Sequence, residues 1–131
     1  MKLPVLTLRQ PWAGLVVLGT KTVENRSWRP KFRLPFKLLI HAGQTTDPGY
    51  EGKWFQSMST RGIIGMVTVI GYVDDDGVEG DVPVRAGSIP KNDLLWLSQE
   101  PGDVGWVLRE AKLFTAPIPA KGRLSIWWHE M

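Results

Sequence analysis

The chain contains no cysteine. That absence removes disulfides, thiolate nucleophiles and thiolate metal ligands together, and only His41 and His129 remain as strong nitrogen donors, so a structural zinc site is excluded. Long apolar runs are missing too. Nothing approaches the roughly 20 residues that span a bilayer, and the opening MKLPVLTLRQ meets a proline and then an arginine before a secretory core can form. Internal repeats and low-complexity segments are also lacking. The expectation is a soluble cytosolic protein with no metal, no cofactor and no membrane partner. Its 131 residues suffice for one domain spanning 1–131, since a chain of about 150 residues already buries roughly 70 % of its unfolded surface.

What is present is unevenly placed. The net charge is only +3, yet residues 1–62 carry ten Lys/Arg against three Asp/Glu, residues 63–111 three against nine, and residues 112–131 three against one. This separation suggests a basic face for a polyanion and an acidic loop elsewhere. Seven tryptophans are a large supply of aromatic surface for so short a chain. Trp54, Trp96, Trp106 and Trp127 read as core, and Trp28 stands between core and surface.

The hydrophobic pattern predicts short elements. LPVLTL (3–8) reads as a first strand, and PWAGLVVLG (11–19) as a short helix with Pro11 at its start and an apolar stripe of Trp12, Leu15, Val16 and Leu18. Gly19 closes it in a left-handed conformation. KTVENRSW (21–28) reads as a polar strand, RPKFRLP as a turn, and FKLLIHAG (36–43) as a buried strand. TTDPGYEGKWFQSM (45–58) predicts a second short helix capped by Asp47. GIIGMVTVIGYV (62–73) is a central strand, too rich in Val, Ile and Gly for a helix. The acidic stretch 74–93 reads as a long surface loop or hairpin, and NDLLWL as a capped helical turn. VGWVLREAKLF (104–114) and LSIWW (124–128) complete the set, joined by TAPIPAKGR. Five or six mostly antiparallel strands with two or three short helices predict an α+β domain built as a small closed or nearly closed barrel.

One cluster stands out. Within LRQPWAGLVVLGTKTVENRSW, Gly19, Lys21, Glu24 and Arg26 fall at the spacing G-x-K-x-x-E-x-R, followed by LLIHAG, and near the other end comes IPAKGRLSIWW. This combination resembles the ASCH domain family, a branch of the PUA-like β-barrels. The resemblance covers both ends of the chain; the middle agrees only in strand pattern. It implies a β-barrel flanked by helices, a cleft lined by the motif residues, and roles in RNA-related binding or processing, with enzymes among the members.

Strand geometry then places Thr22, Glu24, Arg26 and Trp28 on one face and Val23, Asn25 and Ser27 on the other. Lys21 meets Glu24 only if it still belongs to the turn after Gly19, and we expect that it does. Lys21 is expected at the mouth of a cleft, with Glu24 and Arg26 behind it, Gln10 and Trp12 on the facing rim, and His41 pointing inward. Arg26 offers a planar fork and Lys21 a mobile point charge. Arg29, Lys31, Arg33 and Lys37 are expected to guide a phosphate backbone. Such a cleft suits RNA, another single-stranded nucleic acid, or a nucleoside with a modified base.

Two other readings stand beside that one. Lys21, Glu24 and Arg26 could act as base, acid and phosphate clamp in a ribonuclease. An enzymatic branch that the family resemblance brings in removes the acyl group from N4-acylated cytidine with a Lys and a Thr nucleophile three residues later. Here that position is Glu24, which disfavours it. A protein-interaction module using exposed tryptophans and the acidic loop is the third reading.

Overall fold

The computed structural model describes residues 1–47, 49, 61–84 and 88–131. Seven strands form one mixed sheet in the order β2-β6-β4-β3-β1-β7, with β5 paired to β4 off this path. The strands are β1 (Lys2–Gln10), β2 (Val23–Arg26), β3 (Phe36–Thr46), β4 (Gly62–Asp74), β5 (Gly77–Gly80), β6 (Val104–Ile118) and β7 (Ile126–Glu130). The two helices among the described residues, α1 (Trp12–Val17) and α2 (Lys91–Trp96), are each six residues long. The expected helix over 45–58 falls mainly on residues outside those described.

Two corrections to the sequence reading follow. The sheet is not closed: β2 and β7 are its two ends and do not pair. Its strands number seven, because the acidic stretch folds back through a tight turn in which the Asp74 carboxylate accepts the Asp76 and Gly77 amides at 2.9 and 3.1 Å, creating β5. The pairings are mostly antiparallel, as expected, with one exception: β1 and β3 run parallel, Val5 opposite Leu39, since the chain crosses over through α1 and β2 before returning.

The sheet curls around one main core. Leu6, Leu38, Ile40, Val67, Tyr72 and Trp106 belong to it, and Trp28 and Ile126 pack against it from the two edge regions. Trp106 is fully buried; its ring meets Trp28 and Tyr72 edge-on at 5.2 and 6.2 Å, and its Nε1 donates to the Trp28 carbonyl at 3.1 Å. A second cluster on the other face joins Val5, Leu39, Ile63 and Trp127. Burying such side chains stabilises the fold by about 1.5–3 kcal/mol each.

The local rules at α1 hold with one shift. Its buried face is Ala13, Gly14, Val16 and Val17, rotated from the expected stripe and leaving Leu18 exposed. Gln10, almost fully buried, accepts the Gly14 amide on its side-chain Oε1 at 2.9 Å and so holds the first turn. At the other end Gly19 has φ +79°, and the amides of Thr20 and Lys21 both donate to the Leu15 carbonyl at 3.0 Å. Lys21 therefore leaves the helix inside the turn, ahead of β2.

Candidate functional site

The turn brings the motif side chains together. The Lys21 ammonium donates to the Val23 carbonyl and to Glu24 Oε1 at 3.0 Å, while Arg26 Nε donates to Glu24 Oε2 at 2.9 Å. Glu24 thus has one cation on each oxygen. Lys21 and Glu24 are only 7 % and 9 % exposed, and Glu24 lies opposite Trp106 in the β2–β6 ladder, at the edge of the main core. A carboxylate placed there demands compensation, and the motif supplies it.

A second ion pair seats α2 over this group. Asp93, 1 % exposed, takes two bonds from Arg109 at 2.9 and 2.6 Å and one from the Thr22 hydroxyl at 2.8 Å. The expected side-chain cap at Asn92 or Asp93 is not formed; the helix starts after Pro90, and Asp93 instead faces β6. Trp96 then covers Lys21, whose ammonium lies 5.9 Å from the ring centroid. The structure therefore buries Lys21 beneath α2, where the sequence reading had it projecting from a cleft mouth.

The principal cleft lies elsewhere. It has a volume of about 460 Å³ and is lined mainly by β1, β3 and residues 121–125 ahead of β7, with Arg26 of β2 reaching its wall. Arg9, Lys121 and Arg123 line it together with Arg26, and no carboxylate is among its described lining residues. Glu24 engages Arg26 through Nε, and the two terminal nitrogens of that guanidinium have no partner among the described residues. Thr7 and Gln44 add neutral polar groups to the wall.

His41 lines this cleft rather than one built around Lys21, and it is 3 % exposed. Its Nε2 donates to the Ala120 carbonyl at 2.7 Å, its ring meets Trp127 edge-on at 5.5 Å, and its Nδ1 has no partner among the described residues. Gly122 sits against the ring: a Cβ there would stand 2.8 Å from His41 Cε1. Only a residue without a side chain lets the connector approach so closely.

The other expected residues are spread more widely. Gln10 is spent on α1. The Trp12 indole donates to Asp47, which also accepts Arg9 at 3.2 Å; the Trp12 bond first, and Arg9 second, hold the Asp47 carboxyl below the usual carboxylate range. Neither Gln10 nor Trp12 lines the cleft. Arg29 is held by Asp74 and Glu79 at 3.3 and 3.1 Å and lies 5.2 Å from the Tyr72 ring centroid, so its charge is already countered. Lys31, Arg33 and Lys37 are exposed, form no ion pair among the described residues and lie outside the cleft lining. Sequence reasoning missed Arg9, Lys121 and Arg123. The signal was the K-G-R triplet inside the closing pattern, two cations bracketing a glycine beside a strand.

The protein is thus an open mixed sheet with a basic cleft on one side of Arg26 and the buried Lys21–Glu24 pair on the other. The ASCH domain family model matches residues 6–82, more than half of the chain, and the chain belongs to that family. Among solved structures, the ASCH protein from Zymomonas mobilis is 20 % identical over 97 % of this chain and 87 % of its own, with a TM-score of 0.57. A tyrosine-to-phenylalanine mutant of the same protein gives 19 % identity, 97 % and 89 % coverage, and a TM-score of 0.57. The fold is shared across the whole length.

Proposed function

We propose that this protein binds single-stranded RNA or a nucleotide, with a modified base included, in the cleft lined by Arg9, Arg26, Lys121 and Arg123, acting as a single cytoplasmic domain over residues 1–131. The observation that carries this reading is four cationic side chains around one cleft with no carboxylate among its described lining residues. Such a field favours a polyanion, and arginine forks suit phosphate oxygens. The volume lies within the range of small-molecule sites, which run to about 300–1,000 Å³. Membership of the ASCH family points the same way.

The test is a titration with a short single-stranded RNA at low and moderate salt, read by intrinsic tryptophan fluorescence. Each phosphate neutralised by a cleft cation contributes about 0.7 to the slope of log affinity against log salt. Affinity indifferent to salt would sink the polyanion reading and favour a protein partner.

A second reading, hydrolysis of RNA in the same cleft, is supported by His41 more than by Lys21. The Lys21 ammonium is tied to the Val23 carbonyl and to Glu24 beneath Trp96, whereas His41 lines the cleft and its buried Nδ1 has no partner among the described residues. Running the titrated RNA on a gel separates the two: intact RNA supports the binder, and shortening that disappears in His41→Ala supports the nuclease. The amidohydrolase reading gains nothing, since Glu24 occupies the nucleophile position and is salt-bridged to Lys21.

A further inference from the structure

One concentration of aromatic and cationic side chains lies outside the cleft. Trp128 on β7 is 51 % exposed, although its neighbours Ile126 and Trp127 turn into the two cores. Phe32 supports its ring, with centroids 5.5 Å apart, and Phe36 meets Phe32 edge-on at 5.1 Å. The indole is therefore backed, so little side-chain entropy is lost when something lies on it. Lys31 and Arg33 bracket Phe32, both exposed and without an ion pair among the described residues. The nearby Glu130 carboxylate is countered by the Met1 amino group at 2.9 Å.

The position of this patch relates it to the cleft. Residues 27–35 leave β2, one end of the sheet, and reach β7, the other end, through the Phe32–Trp128 contact. Ser125, at the bend that leads into β7, lines the cleft, and Trp128 stands three residues beyond it.

We propose that single-stranded nucleic acid seated in the cleft continues along this seam and stacks a base on Trp128, with Lys31 and Arg33 holding the adjoining phosphates. The proposal rests on the cleft reading above. Charge complementarity selects the occupant: each nucleotide brings both a π-face for the indole and a negative charge for the flanking cations.

The test measures fluorescence anisotropy of a labelled eight-nucleotide single-stranded RNA with wild type, Trp128→Ala, Trp128→Phe and the double variant Lys121→Ala/Arg123→Ala. Trp128→Ala is expected to weaken binding about 5- to 150-fold, with Trp128→Phe retaining most of the affinity. The cleft double variant also weakens it. Unchanged affinity in Trp128→Ala overturns the stacking subsite, and the cleft reading survives if the double variant still loses affinity. Loss in Trp128→Ala without loss in the double variant overturns the continuous path and the cleft together. A wild-type protein that leaves the octamer unbound overturns both. Where Trp128→Ala melts at a lower temperature, Lys31→Ala/Arg33→Ala gives an independent reading: the salt slope becomes shallower by about 1.4, and an unchanged slope counts against the proposal.

Discussion

Two groups of cations on this molecule use the same residue types to opposite ends. Lys21 and Arg26 close on Glu24 at the edge of the core, and every one of their recorded bonds is internal. Arg9, Lys121 and Arg123 stand around a cleft whose described lining holds no carboxylate, with Arg9 alone tied to an acid, Asp47. The first group neutralises a charge that folding buries; in the second, Lys121 and Arg123 have no ion-pair partner among the described residues. A sequence motif can thus mark the frame of a site while the ligand-facing charge sits on another segment. Arg26 joins the two, with Nε on Glu24 and its side chain on the cleft.

The largest effect that would break this contrast is on stability. Lys21→Ala is expected to lower the unfolding free energy by about 3–5 kcal/mol, because Glu24 loses a partner while it stays buried. Lys121→Ala/Arg123→Ala is expected to stay within about 0.5 kcal/mol of wild type per substitution. Urea denaturation of both variants decides it, and equal stabilities would erase the distinction.

The next prediction concerns a buried group that is left neutral. Burial is the main reason that the Tyr72 phenol is pushed up to about 12, and its hydroxyl has no partner among the described residues. The folded value lies above the ordinary 10.0, so this contribution is complete below about pH 10 and is lost as pH rises through 12. Tyr72→Phe is expected to remove roughly 2–3 kcal/mol of that alkaline loss without weakening the protein at neutral pH, as melts across pH 8–12 would show.

Affinity sharpens the comparison from the other side. Lys121→Ala/Arg123→Ala is expected to make the salt slope for single-stranded RNA shallower by about 1.4, measured by titration at several salt concentrations. A slope equal to that of wild type would remove these two residues from the phosphate contacts. The smallest effect is local: Trp12→Phe is expected to raise the Asp47 carboxyl toward its ordinary value, followed by NMR titration of that side chain. Since Asp47 is held low in the folded protein, whatever it contributes is present above the ordinary carboxylate range and fades as pH falls.

Much of the fold was legible because it rests on local rules. Pro11, the apolar run and Gly19 marked α1, and the Val/Ile/Gly density of 62–73 marked β4. Lys21 fell inside the turn because a glycine upstream permits the left-handed residue that the turn needs. Closure of the sheet was not legible, since it depends on whether two distant edges meet, and no spacing encodes that. The burial of Lys21 was missed for a similar reason: the cover comes from Trp96, seventy-five positions away, seated by the Asp93–Arg109 pair. Trp128 received no placement, because LSIWW was read as a strand and only Trp127 of the adjacent pair was assigned to the core. Lys121 and Arg123 were visible as letters in a closing pattern, but only the fold carries them across to Arg26.

The connector that bears Lys121 and Arg123 is anchored by residues on either side of it: Ala120 packs on the second cluster and Ile126 on the main core. Residues 121–125 themselves contribute to neither, and Leu124 is 94 % exposed. Inheritance can therefore treat the chemistry of the cleft wall and folding as separate traits. Substitutions within these five positions alter the charge and shape presented at the seam while the hydrophobic interior stays intact, with Gly122 as the one position that the His41 ring constrains. A lineage, or a protein engineer, can change the surface of this open sheet by rewriting a single short loop.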